Sequence, residues 1–117
     1  MTRRISAVPL LTAGTLLSRR SGYPPPLDRP GVTFWYSART AIFQGVRALG
    51  LQPGDRVLAP AYACGSECDA LLKAGLVLDY YHVREDLTPD LDHIASLCAT
   101  GSRAVYVTHY FGIPQPL

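Results

Sequence analysis

At 117 residues, 48% of them hydrophobic and 17% charged, the chain can form one domain with a core and no more. The formal charge of +2 hides an asymmetry: residues 1–40 carry six Arg and one Asp, while residues 41–117 carry five basic and eight acidic residues. A nucleic-acid-binding domain wants a basic face on its folded part, which here is acidic, so that class is excluded; no apolar run is long enough to span a bilayer.

Residues 1–32 read as an arm. Arg3 and Arg4 precede a mostly apolar run, ISAVPLLTAGTLL, which superficially resembles a signal peptide. Pro9 and Gly14 interrupt it, Arg19 and Arg20 follow, and no small-x-small cleavage site appears. With no acid before Asp28, an organelle transit peptide is the alternative. The preferred reading is an extended arm joined to the domain by a stiff polyproline-like connector at Tyr23–Pro26.

Residues 33–117 read as the domain. Ser37 sits where an N-cap belongs, and Ile42, Val46 and Leu49 recur at the spacing of a helix packed on a core, roughly Ala38–Leu49. Gly50 and Pro53 stop that helix. Arg56–Ala59 reads as a short buried strand. A loop, Ala61-Tyr-Ala-Cys-Gly-Ser, opens a second helix over Ser66–Ala74, with Glu67 and Asp69 suited to its positive end. Gly75 ends it, and Leu76–Val83 is strand-like.

Thr88-Pro-Asp is a helix start, with Thr88 as N-cap and Pro89 at the first helical position. Leu91, Ile94, Ala95 and Cys98 then form a stripe expected to face the core. Gly101 stops the helix, and Arg103–His109 is a third strand. Strands joined by helices of this length pair in parallel through right-handed crossovers. The expected fold class is α/β, with a mostly parallel sheet and flanking helices in three layers. Because the terminus falls in mid-crossover, the chain reads as the incomplete front half of a larger domain.

Three cysteines, Cys64, Cys68 and Cys98, make an odd count without metal-ligand spacing, and read as reduced thiols of a cytoplasmic protein. His82 and His93 have no partners that would suggest a metal.

One set of segments resembles a known family. SARTAI, ALGLQPGDRVLAPAYACGS, AGLVLDYYHV, LTPDLD and RAVYVTHYFGIPQPL follow one another in the order found in DegT-type (DegT/StrS) sugar aminotransferases. These are pyridoxal 5'-phosphate (PLP) enzymes of fold type I, the aspartate aminotransferase fold. Their pattern runs SGTAAL, then LGxxPGDEVxxP, then a loop bearing an aromatic. The likeness covers about residues 31–117.

The resemblance implies that the turn before the first helix grips the cofactor phosphate. Ser37, Ala38 and Arg39 fall on the family's Ser-Gly-Thr positions; the lost Thr hydroxyl is replaced by Thr40 or by the Arg39 guanidinium. Cys64 falls where the family stacks an aromatic on the pyridine ring, with Tyr62 as the alternative. His109, in a segment like the family's VHLYG, falls near the cofactor. Read from the residues alone, the same positions are a capped helix, a half-buried tyrosine and a structural histidine.

The resemblance also implies an amino donor and a keto (nucleotide-)sugar as substrates, and a homodimer. It further implies a Schiff-base lysine and an acid pairing with the pyridinium nitrogen. Lys73 lies roughly 10 Å down its helix from the ligand edge, at about 1.5 Å per residue, so this 117-residue chain is not expected to be catalytically competent by itself. The rival readings are an inactive fragment or binding module, and a PLP lyase or dehydratase of the same fold.

Overall fold

The computed structural model describes residues 29–117 together with Ala13. The signal-like run and the Tyr23–Pro26 connector lie outside the described residues. The chain divides into two compact units, Met1–Thr33 and Phe34–Leu117. In the first, a turn is closed by the Val32 amide donating to the Arg29 carbonyl at 3.3 Å.

The second unit alternates helix and strand: α1 (Ala38–Ala48), β1 (Arg56–Pro60), α2 (Gly65–Lys73), β2 (Val77–Tyr81), α3 (Leu91–Cys98), β3 (Ala104–Val105), and a 3-10 turn at Tyr110–Gly112. The three strands form one parallel sheet in the order β2-β1-β3. Stepping from β1 to β2 and back across β1 to β3 reverses direction. Right-handed crossovers then place α2 and α3 on opposite faces. α1 packs against α2, and α3 lies against β1 and β2.

Side-chain alternation along β1 serves both faces. Val57 packs with Val46 of α1 and Leu71 of α2, and with Leu76, while Leu78, Ala104 and Tyr106 close around them. Leu58, one residue on and fully buried, points the other way. Tyr81 is buried at the end of β2, and its hydroxyl donates to the Tyr106 carbonyl at 3.1 Å. Burial, then the neighbouring Tyr110 and Tyr106, pushes its phenol up to about 12. At the entry edge Arg56 of β1 meets Asp79 of β2 at 2.6 Å, an exposed pair worth little on its own.

One glycine there is required. Gly75 ends α2 at φ +85°, and a Cβ on it would lie 2.9 Å from Pro53 Cβ. Its carbonyl accepts from the Gly54 amide at 2.8 Å, which ties the two loops at the amino edge of the sheet.

Four sequence expectations are corrected. Leu49 is not a core residue of α1: it is the C-cap, 75% exposed, and Leu51 past the turn packs on the core instead. The third helix does not begin at Thr88. The Thr88 hydroxyl donates to Asp86, and Pro89 bridges to Val83. Asp90 is the cap, accepting from the His93 amide at 3.2 Å. Within α3, Ile94 and Leu97 are half-buried, while Leu91, Ala95 and Cys98 are exposed.

Finally, β3 is two residues rather than seven. It pairs only with β1, and beyond Val105 a single bond from the Tyr106 amide to the Leu58 carbonyl continues the ladder. Among the described residues no strand lies on its outer side, and residues 107–109 add no further rung to the ladder.

Candidate functional site

The chain leaves α1, turns through residues 50–55 and enters β1 at Arg56. The C-terminal end of α1 is therefore at the amino edge of the sheet. Its 11 residues span roughly 16 Å, about the length of five strand residues. The N-terminal mouth of α1 thus lies toward the carboxyl edge, where ligands of open α/β sheets bind, and is flanked by Asp69 and Lys73 of α2. The loops after β1 and β3 open at that same edge.

Ser37 is extended and caps α1. Its Oγ accepts from the Thr40 amide at 3.2 Å and shares a hydrogen bond with Thr40 Oγ1 at 3.0 Å. The first helical bond runs from the Ala41 amide to the Ser37 carbonyl. That leaves the amides of Ala38 and Arg39, which among the described residues have no acceptor. Ser37, Arg39 and Thr40 line a cavity of about 390 Å³ with Tyr36, Asp69 and Lys73.

A second cavity of about 410 Å³ lies between the loops after β1 and β3, lined by Tyr62, Ala63, Cys64, Glu67, Thr108 and Tyr110. Tyr62 is 65% exposed. Its ring lies 5.8 Å from that of Tyr110, tilted by 41°. The Tyr110 hydroxyl donates to the Tyr62 carbonyl. Burial raises the Tyr110 phenol, with Glu67 and Tyr62 adding to the effect. Burial and Glu67 also raise Tyr106, which the Thr108 hydroxyl partly offsets. Thr108 Oγ1 is itself buried without a hydrogen bond of good geometry.

Cys64 caps α2 through its backbone, its carbonyl accepting from the Glu67 amide at 3.0 Å. Its Sγ lies 3.2 Å from Ser66 Oγ. The hydroxyl and the amide of Ser66 hold the thiol below its ordinary value; desolvation and Glu67 oppose this, and Arg39 adds to it. Because the thiolate is the nucleophile, alkylation of Cys64 by iodoacetamide should reach half its maximal rate at a lower pH than for a free cysteine. Ser66→Ala should move that midpoint upward, read by mass spectrometry of the Cys64 peptide.

The expected site residues fall into two groups in separate cavities: Ser37, Arg39 and Thr40 with the open amide of Ala38, and Tyr62 with Cys64. His109 lines neither cavity. It is exposed, and its Nδ1 accepts from the Gln115 amide at 3.2 Å. Tyr110 and Thr108 are not site candidates by sequence, and Glu67 is singled out only for complementing the helix dipole. Only the pairing of loops 48 residues apart brings Tyr110 and Thr108 to Tyr62 and Cys64, whereas Glu67 lies one turn into the helix that Cys64 caps.

Among the described residues, no group of three or more His, Cys, Asp or Glu could hold a metal ion. No helix among them is long and apolar enough to cross a membrane.

No family model matches the sequence. The chain is similar to a dTDP-4-dehydro-2,3,6-trideoxy-D-glucose 4-aminotransferase of Saccharopolyspora spinosa, with 32% identity over 89 residues. The match covers 75% of this chain and 23% of that protein, so the chain spans about a quarter of its relative's length. Over that stretch the relationship is aminotransferase-like, and the α/β architecture is consistent with part of such a transferase domain.

Proposed function

We propose that the chain forms the phosphate-gripping front part of a PLP-dependent aminotransferase of the DegT type. The whole protein would move an amino group from an amino donor to a keto sugar, in the manner named for the Saccharopolyspora relative. The observation that carries this reading is the open pair of amides at Ala38 and Arg39, at a helix mouth that lines one cavity while Tyr62 and Cys64 line another.

The residues fit two parts of the cofactor. A helix mouth with two free N–H groups and a guanidinium suits a phosphate. An exposed tyrosine ring beside a cavity suits one face of a pyridine ring. Bound PLP would supply the electron sink for the chemistry. Ser37 keeps the mouth in place, and Arg39 adds positive charge. Lys73, in the last turn of α2, lines the outer cavity away from Tyr62 and is given no part in the chemistry. As in the family, the reactive lysine, the acid for the ring nitrogen and the second subunit of a homodimer would lie outside the residues described.

The test is calorimetric titration of the chain with pyridoxine 5'-phosphate, pyridoxine and inorganic phosphate. The phosphorylated ring should bind one to one and compete with phosphate, and pyridoxine should bind far more weakly. Equal affinity for pyridoxine with and without its phosphate would overturn the reading.

A further inference from the structure

We infer that Tyr110 is a positioning residue that fixes Tyr62 as the wall on which a flat, phosphorylated ring rests, with Cys64 alongside that ring rather than against its face. This rests on the proposed function and deepens it.

Tyr62 stands on an irregular loop between Pro60 and the cap of α2, with most of its ring exposed. An exposed ring on a loop binds poorly unless its backbone is already held, because ordering it draws on the binding free energy. Tyr110 supplies that hold in two ways. Its hydroxyl donates to the carbonyl of Tyr62 itself, and its ring packs tilted against the Tyr62 ring.

Tyr110 is anchored in turn. It begins a 3-10 turn in which the Gly112 amide donates to His109 and the Ile113 amide to Tyr110, both at 3.0 Å. Phe111 takes left-handed backbone at φ +54°, unfavourable for a residue with a side chain, and its ring points to solvent while Tyr110 turns inward. The brace therefore joins the loop after β3 to the loop after β1 across the open edge.

Cys64 cannot serve as a wall in the same sense. Its Sγ lies 3.2 Å from Ser66 Oγ, and a thiol has no flat face to offer a ring, although it lines the same cavity. A ring lying on Tyr62 would sit beside this thiol and shield it.

The test compares Tyr110→Phe with the wild-type chain. Pyridoxine 5'-phosphate should protect wild-type Cys64 from iodoacetamide, and inorganic phosphate should not. In Tyr110→Phe that protection should be lost, and affinity for pyridoxine 5'-phosphate should fall roughly fivefold or more, the loss of one hydrogen bond. Affinity for inorganic phosphate should stay unchanged. A merely structural tyrosine would not separate the two ligands.

Tyr62→Leu removes an exposed ring and should give the same split, so the idea remains testable should Tyr110→Phe melt early. If wild type binds pyridoxine 5'-phosphate and either variant binds and protects equally well, the inference is overturned while the proposed function stands. If wild type binds neither ligand, both are overturned.

Discussion

Leu58→Ala should destabilise the folded unit by about 2–5 kcal/mol, enough to unfold much of a domain of ordinary stability. Leu58 lies in the middle of the central strand, is 0% exposed, and faces α3. Its removal takes away buried methyl groups and leaves a cavity that neither neighbouring strand can close, since both are tied to β1 by backbone hydrogen bonds. Leu91→Ala is the internal comparison. Sequence periodicity gives Leu91 the same core role, but it is 44% exposed, and its loss should cost under about 1 kcal/mol. Urea denaturation followed by far-ultraviolet circular dichroism measures both. Equal costs would mean that the outer stripe of α3 is buried after all.

Ala38→Pro should weaken binding of a phosphorylated ligand by about tenfold or more while leaving the stability of α1 unchanged. Ala38 is the first helical residue, a position that tolerates proline because its N–H has no partner within the helix. Ser37 before it is already extended, at φ −148° and ψ 154°, as a residue preceding proline should be. The substitution therefore deletes one of two open amides and little else. A hydrogen bond to a charged oxygen contributes about 1.5–3 kcal/mol, hence the size of the expected loss. Titration with inorganic phosphate reads the affinity, and thermal melting reads the helix. Unchanged phosphate affinity would remove the mouth of α1 from the site.

Much of this was written locally. Ser37 before an amphipathic run, glycines at 50, 75 and 101 with positive φ, and short β-rich stretches between them fix where helices stop and strands run. These signals act within a few residues, through capping and backbone sterics, and the alternation they produce leaves a parallel sheet as the consistent outcome. The open amides at Ala38 and Arg39 follow from the same local rule, since a helix cap leaves its first N–H groups unbonded.

What tertiary structure alone decided depends on partners far away in sequence. The Thr88-Pro-Asp start is a plausible cap by composition, but the bridge from Val83 to Pro89 claims that stretch and moves the cap to Asp90. Leu91, Ala95 and Cys98 are exposed while Ile94 and Leu97 are half-buried, because periodicity names an apolar face but not the surface it meets. β3 reads as seven residues by propensity and is two, since a strand lasts only as long as a neighbour pairs with it. Tyr110 meets Tyr62 across 48 residues because two parallel strands deliver their loops to one edge, a juxtaposition that chain order cannot express.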